Sequence, residues 1–386
     1  MAGIYIHIPF CVKKCLYCNF FSSDDVSLKD FFIKALCREM DLRFDYLNYR
    51  QADTLYIGGG TPSVLSPQTI EQIITHALKV FGCKPNVEIT LEANPNNLNE
   101  EYIKQLADTS VNRLSIGIQS FSDDNLLLLG RVHTGKQAET CLELADKYRF
   151  SNLSVDLMYA YPQLTNEQWI KNLEKVKQVA HLSCYSLSLD PSSKLYRQIQ
   201  TKKYQMPDED QTIEQYRLLT EFAKTNHFLH YEISNFCKPN RFSGHNSDCW
   251  KGEPYIGLGT AAHSFNDVSR QWNIPNIHAY IQQMNTIDSP KEWHEKGLHT
   301  LFEQEIRTKT MQVNEYIMTS LRTMWGCDLQ YIRDRFGTMF FDVLHHKIKT
   351  IRSEYYLIEN NKLILTENGY LLADRIASDL FFDETA

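Results

Sequence analysis

The chain has 386 residues, 40 Lys+Arg against 47 Asp+Glu, a net charge of −7 and 43% hydrophobic residues. This ordinary globular balance excludes a disordered, collagenous or coiled-coil protein, points to roughly two or three domains, and its net acidity argues against a nucleic-acid partner. No apolar run approaches the ~18 to 20 residues of a membrane span and no signal peptide is evident at the N-terminus. Ten cysteines in so long a chain are too sparse for a disulfide scaffold, so a cytoplasmic, reducing location is expected.

Six segments of the first half have the β-branched and apolar content of strands: Gly3–Ile8, Thr54–Gly58, Val87–Glu92, Arg113–Gln119, Leu153–Met158 and Ser183–Leu189. Between them, helical spacing runs over Ser27–Phe44, Ser66–Phe81, Asn99–Ala107, Lys136–Tyr148 and Asn166–Val179. Strand–helix alternation predicts parallel βα units. Glu92, Gln119 and Asp156 are polar positions in or at the ends of otherwise apolar strands, and a barrel would gather such C-terminal ends around one mouth. The expected fold is therefore α/β, a six-unit partial TIM-type barrel over 1–225. Residues 226–300 form an expected extension, with a strand at Phe228–Ile233 and a stretch dense in Asn, Gly, His and Trp after it. Over 301–386, helices at Glu315–Met324, Leu329–Phe336 and Asp342–Ile351 precede a hairpin, Tyr356–Leu365, that turns at Asn360–Asn361, and a last helix, Glu367–Leu380. This pattern predicts a small winged-helix-like unit. Its 10 Lys+Arg and 13 Asp+Glu argue against a DNA-reading wing.

Cys11, Cys15 and Cys18 form C-x3-C-x2-C directly after the first expected strand. Ten cysteines placed at random would give this spacing about 0.007 times. Soft thiolates select zinc, copper(I) or an iron–sulfur cluster. A structural zinc wants a fourth ligand, for which His7 is at hand, whereas a four-iron cluster held by three thiolates leaves one iron open to a small molecule. Unligated thiols are the remaining reading. Gly58-Gly59-Gly60-Thr61-Pro62 ends the second strand. A glycine run lets backbone N–H groups approach a ligand closely, although a tight turn explains it equally well. No Gly-Lys-Ser/Thr follows, so it is not a P-loop.

The cysteine spacing with Tyr17 before its last member resembles the radical S-adenosylmethionine (SAM) superfamily. The stretches YIHIPFC, GGGTP, LEANP, IGIQSF, LGRVH and VDLM, over roughly 3–265, are similar to the subgroup that contains oxygen-independent coproporphyrinogen III oxidase and a heme chaperone. The resemblance implies a [4Fe-4S] cluster on Cys11, Cys15 and Cys18, with SAM chelating its open iron. It implies SAM contacts from Tyr5, Tyr17, Gly58, Gly59 and Glu92. Gly60, Thr61, Gln119, Arg131 and Asp156 match positions that bind a second SAM in the oxidase. Without it, Glu92 and Asp156 could be caps or paired carboxylates and Arg131 a surface cation.

Within the subgroup the chain looks more like the chaperone. Phe20 stands where the oxidase has a further Cys, and the oxidase carries a longer segment before its first strand. Ser243–Trp250, SGHNSDCW, resembles the chaperone's H-N-x-x-Y-W motif, with Cys249 in place of the Tyr. Imidazole and thiolate are common heme ligands, which makes His245 the candidate heme residue; a hydrogen-bonded structural His is the plainer reading. The expectation is a protein that binds heme and delivers it to acceptor proteins, with an electron donor such as flavodoxin or ferredoxin and a peripheral membrane contact left open. The alternatives are the oxidase activity, converting propionates to vinyls, or another radical SAM enzyme such as a methyltransferase.

Overall fold

The computed structural model describes residues 1–383. Twelve strands form one sheet: β1 (Gly3–Ile8), β2 (Ala52–Gly59), β3 (Cys83–Ala93), β4 (Arg113–Gln119), β5 (Leu153–Tyr159), β6 (His181–Ser186), β7 (Leu229–Glu232), β8 (Asn235–Cys237), β9 (Tyr255–Leu258), β10 (His263–Phe265), β11 (Ser269–Asn273) and β12 (Phe302–Ile306). Their order is β12-β11-β10-β9-β1-β2-β3-β4-β5-β6-β8-β7. The run from β9 through β1 to β6 is parallel, and antiparallel strands extend both sides. With two free edges the sheet is an open partial barrel, as expected, but its parallel part gains β9 from far along the chain.

The crossovers are helical: α1 (Lys29–Leu42), α2 (Pro67–Phe81), α3 (Glu100–Leu106), α4 (Asp123–Leu129), α5 (Gly135–Lys147), α6 (Asn166–Glu174), α7 (Lys194–Gln200) and α8 (Glu209–Thr225). Their starts are written locally. Ser66 Oγ accepts from Thr69 N at 3.1 Å ahead of Pro67. Thr134/Gln137 and Thr165/Gln168 form capping boxes, each such cap contributing about 1 kcal/mol. The extension adds α9 (Gly244–Trp250), α10 (Ile277–Met284) and α11 (Pro290–Gly297). Then come α12 (Lys309–Leu321), α13 (Leu329–Phe336), α14 (Thr338–Ile348), α15 (Glu367–Tyr370) and α16 (Ala373–Leu380), with a small sheet of β13 (Cys327–Asp328), β14 (Tyr356–Glu359) and β15 (Lys362–Leu365). The hairpin turns at Asn360 and Asn361, both with φ in the left-handed region, which asparagine tolerates.

Several expectations shift. The helix expected at Glu315–Met324 starts at Lys309 because Thr308 caps it. The single last helix is broken at Leu371–Leu372 into α15 and α16. The expected unit boundary at 300 falls inside the fold of the large sheet, because β12 pairs with β11 through Ile306; the expected end at 386 lies outside the described residues. Among the described residues no helix is long and apolar enough to cross a membrane.

The strand alternation positions the site. Ile4, Ile6 and Ile8, Leu55 and Ile57, Ile89 and Leu91, Leu114 and Ile116, Val155 and Leu157 all belong to the buried core, facing the helices. Their neighbours Tyr5 and His7, Tyr56, Glu92, Arg113 and Ser115, and Asp156 line the barrel lumen. Period-two alternation thus yields an apolar outside and a polar inside, the reverse of a closed barrel's packed interior.

Candidate functional site

The lumen holds two adjoining cavities. One, of about 370 Å³, is lined by Cys11, Cys15, Tyr17, Cys18, Gly59, Gly60, Thr61, Glu92, Gln119, Arg131 and Asp156. Eleven positions scattered over the chain meet there, as the mouth of a barrel requires. Gly58 lies just behind the wall: a Cβ on it would come within 2.9 Å of the Glu92 carboxyl. Gly59 takes φ +110°, and a Cβ there would meet His7 Nδ1 at 2.7 Å. Only glycine permits this approach.

Glu92 Oε1 accepts from Tyr56 Oη at 2.8 Å and Oε2 from Gly59 N at 3.2 Å. Burial pushes its pKa up to about 7 against the pull of these bonds, and Asp156 adds to the rise. Asp156 is raised too, chiefly by burial, while Ser115 Oγ donates to it at 3.1 Å. Gln119 has φ +68° at a register irregularity between β4 and β5, a left-handed conformation that a non-glycine residue rarely adopts and that recurs at functional sites.

The thiols have polar company. Arg131 Nη1 donates to Cys15 Sγ at 3.4 Å, its Nη2 donates to Gly117 O, and Thr61 Oγ1 donates to Cys11 Sγ at 3.5 Å. His7, weighed above as a fourth zinc ligand, is engaged otherwise. Its Nε2 bonds Phe21 O at 2.9 Å and its Nδ1 bonds Tyr5 Oη at 3.1 Å, so it pins the segment after the last cysteine to β1. Among the described residues no three His, Cys, Asp or Glu side chains converge on one metal ion, whereas a four-iron cube takes each thiolate on a different iron. Three thiols with two donors aimed at their sulfurs, a glycine-walled recess and a carboxylate fit a cluster with a small chelating ligand beside it.

The second cavity, of about 520 Å³, is lined by Tyr5, His7, Phe20, Tyr56, Arg113, His181, His245, Asn246, Cys249 and Tyr255 among others, and shares Asn19, Phe20, Tyr56, Ser115, Ser183 and Tyr185 with the first. Tyr5 and His245 are thus in the adjoining chamber rather than among the cysteines. Helix α9 brings His245 to the opposite end of the barrel from the cysteines: Glu88 accepts from Gly244 N and His245 N at 3.1 and 3.2 Å, and a Cβ on Gly3 would touch the imidazole at 3.1 Å. The buried ring lies 5.2 Å from Tyr56, centroid to centroid, at an interplanar angle of 28°. Its Nδ1 bonds Thr54 Oγ1 at 2.9 Å, and Nε2 has no hydrogen-bond partner among the described residues. Burial, assisted by Arg113, lowers its pKa to about 4, so the ring is neutral at physiological pH. A neutral imidazole with one nitrogen tied and the other free is the form that ligates metal. Cys249 also lines a third cavity of about 810 Å³, which includes Trp250 and Trp325; burial pushes its thiol up to about 12.

Sequence reading passed over Tyr56, Arg113, His181 and Tyr185. The signal that finds them is their phase: each shares the alternate face of its strand with a residue already singled out or with a serine.

Residues 5–176 match the family model of the radical SAM superfamily. The chain is 30% identical to the heme chaperone HemW of Lactococcus lactis, over 98% of this chain and 97% of that one. It is 32% identical to the heme chaperone HemW of Bacillus subtilis, over 97% and 98%. The coproporphyrinogen III oxidase HemN of Escherichia coli, a radical SAM enzyme, superposes with a TM-score of 0.82 at 21% identity, over 98% of this chain and 90% of that one, a likeness of fold. Radical SAM membership implies a [4Fe-4S] cluster and SAM, which the thiol-lined cavity suits. On these matches and this site, the chain belongs to the HemW heme chaperone family within the radical SAM superfamily.

Proposed function

We propose that Cys11, Cys15 and Cys18 hold the [4Fe-4S] cluster, that Gly58–Thr61 and Glu92 hold SAM beside it, and that the 520 Å³ cavity takes heme with His245 Nε2 as iron ligand, for delivery to an acceptor protein. Held by Cys11, Cys15 and Cys18, a cluster would supply one-electron chemistry toward the SAM sulfonium, its electron coming from an external donor such as flavodoxin or ferredoxin. The chain's own residues orient the ligands. Tyr56 and Gly59 hold the Glu92 carboxyl toward the recess, Arg131 and Thr61 place donors on two of the cysteine sulfurs, and Gln119 and Asp156 complete the wall. Thr54 fixes the His245 ring, with Nδ1–H donating to Oγ1 as the tautomer that leaves the Nε2 lone pair free. The observation that carries the heme reading is an imidazole that lines this cavity with one ring nitrogen bonded to Thr54 and the other without a hydrogen-bond partner among the described residues.

Anaerobic titration of the reconstituted protein with heme tests it. The parent should bind heme with a resolved Soret band. His245→Ala should shift that band or weaken binding by about tenfold or more, about 1.4 kcal/mol, with iron–sulfur absorbance unchanged. Unaltered binding by the variant removes His245 from the site, and no binding by the parent overturns the heme reading.

A further inference from the structure

Arg113 is 2% exposed. Among the described residues its guanidinium forms no ion pair and no hydrogen bond, and its Nε is buried without a partner. Register places it level with Thr90, Tyr56 and Tyr5, on the lumen face, where it lines the 520 Å³ cavity. It is the only Lys, Arg, Asp or Glu among that cavity's lining residues. The nearest acidic groups, Glu92 and Asp156, feel its charge but make no direct bond to it; their contacts are with Tyr56 and Gly59, and with Ser115. A buried guanidinium without a direct hydrogen-bonded partner is costly. Ser115, Ser183 and Asn235 line the same cavity and add neutral hydrogen-bonding groups.

We propose that Arg113 anchors a ligand carboxylate in this cavity, the anion being a propionate of the tetrapyrrole bound there. The proposal rests on the heme reading above and adds the group that orients the ring's acidic edge. A guanidinium fork pairs with a carboxylate through two parallel N–H···O bonds, so the partner is a planar acid rather than a neutral edge. The imidazole of His245 and the guanidinium of Arg113 would then fix two separate points of one ligand, its metal and its acid.

The test compares heme with its dimethyl ester, in which both propionates are neutral, on the reconstituted protein and its Arg113→Gln and Arg113→Lys variants. The parent should bind heme about tenfold or more tightly than the ester. Arg113→Gln should bring the two within about threefold, and Arg113→Lys should keep part of the preference. Iron–sulfur absorbance and thermal melts check folding, and the comparison on the parent alone decides the matter if a variant does not fold. Equal affinity of the parent for acid and ester, or a full preference retained in Arg113→Gln, overturns the proposal alone. Failure of the parent to bind either ligand overturns the heme reading and this proposal together.

Discussion

At the scale of single residues, Glu92 couples the site to pH. Its carboxyl titrates near 7 because burial disfavours the charge. Below that pH it carries a proton and is a poor acceptor for a cationic ligand; above it, the carboxylate accepts hydrogen bonds only. SAM affinity should therefore rise between pH 6 and pH 8, and Glu92→Gln should flatten that profile while weakening binding at pH 8; calorimetric titration of the reconstituted protein at several pH values checks both. The same shift has the opposite sign for stability. A carboxyl whose folded pKa lies above its unfolded value contributes stability that is present below the unfolded pKa and lost as pH rises toward 7. The ligand-free chain thus loses this contribution between pH 4.5 and about 7, largely before the expected rise in SAM affinity is complete. Glu92 stood out in the sequence as an acid within an apolar strand. Arg113 did not, because an arginine opening a strand resembles a surface residue until the register shows which face it takes.

At the scale of elements, a buried polar knot joins α1 to the late strands. Glu39 and Arg43, 0% and 2% exposed, pair at 2.8 Å. Glu39 also accepts from Gly259 N at 2.7 Å, Asn273 Nδ2 at 2.8 Å and Tyr280 Oη at 2.6 Å, while Arg43 donates to Gly257 O at 2.8 Å and Ser264 Oγ at 3.0 Å. The knot holds β9, β10, β11 and α10 onto the first helix, and so seats β9 beside β1. Breaking one side of such a pair leaves an uncompensated buried charge and costs about 3–5 kcal/mol. Glu39→Met should lose stability on that order in urea unfolding, and the double variant with Arg43→Met should lose less than the single one. The i,i+4 spacing of Glu39 and Arg43 resembles an ordinary exposed helix pair, so only the packing of residues more than two hundred positions away reveals it as a buried pin.

At the scale of the whole molecule, the barrel separates two chambers that share a wall. The cysteines follow the C-terminal end of β1, whereas His245 sits against Gly3 at its N-terminal end. A ring ligated by His245 would be drawn toward the end away from the glycine-walled recess, and hydrogen abstraction depends on close placement of the reacting carbon. At the shared wall, the exposed Phe20 ring offers no acid, base or thiol. The reconstituted protein, given SAM, reductant and coproporphyrinogen III, should accordingly yield no protoporphyrinogen IX above a cluster-free control, as measured by porphyrin fluorescence after oxidation. Cluster-dependent product would instead assign it the oxidase reaction.

The sequence alone determined what is local. Cysteine spacing, strand alternation, capping residues and the Gly58–Gly60 run act within a few positions of one another, so the cysteine motif, the six first-half strands and many of the residues lining the thiol cavity could be read directly. Tertiary structure decided what depends on distant partners. Strand β9 joins the parallel sheet because Tyr255–Leu258 finds β1, a pairing that no local pattern announces in so short a segment. The strand β12 carries the large sheet past residue 300 for the same reason. His245 became a neutral imidazole only through burial in the lumen near Arg113, with Thr54 on β2 holding one of its nitrogens, and Arg113 took a lumen position without a direct partner only through the shared register of β1 to β4. Burial and pairing across the sheet, not residue type, separate a candidate ligand from a structural histidine or a surface arginine.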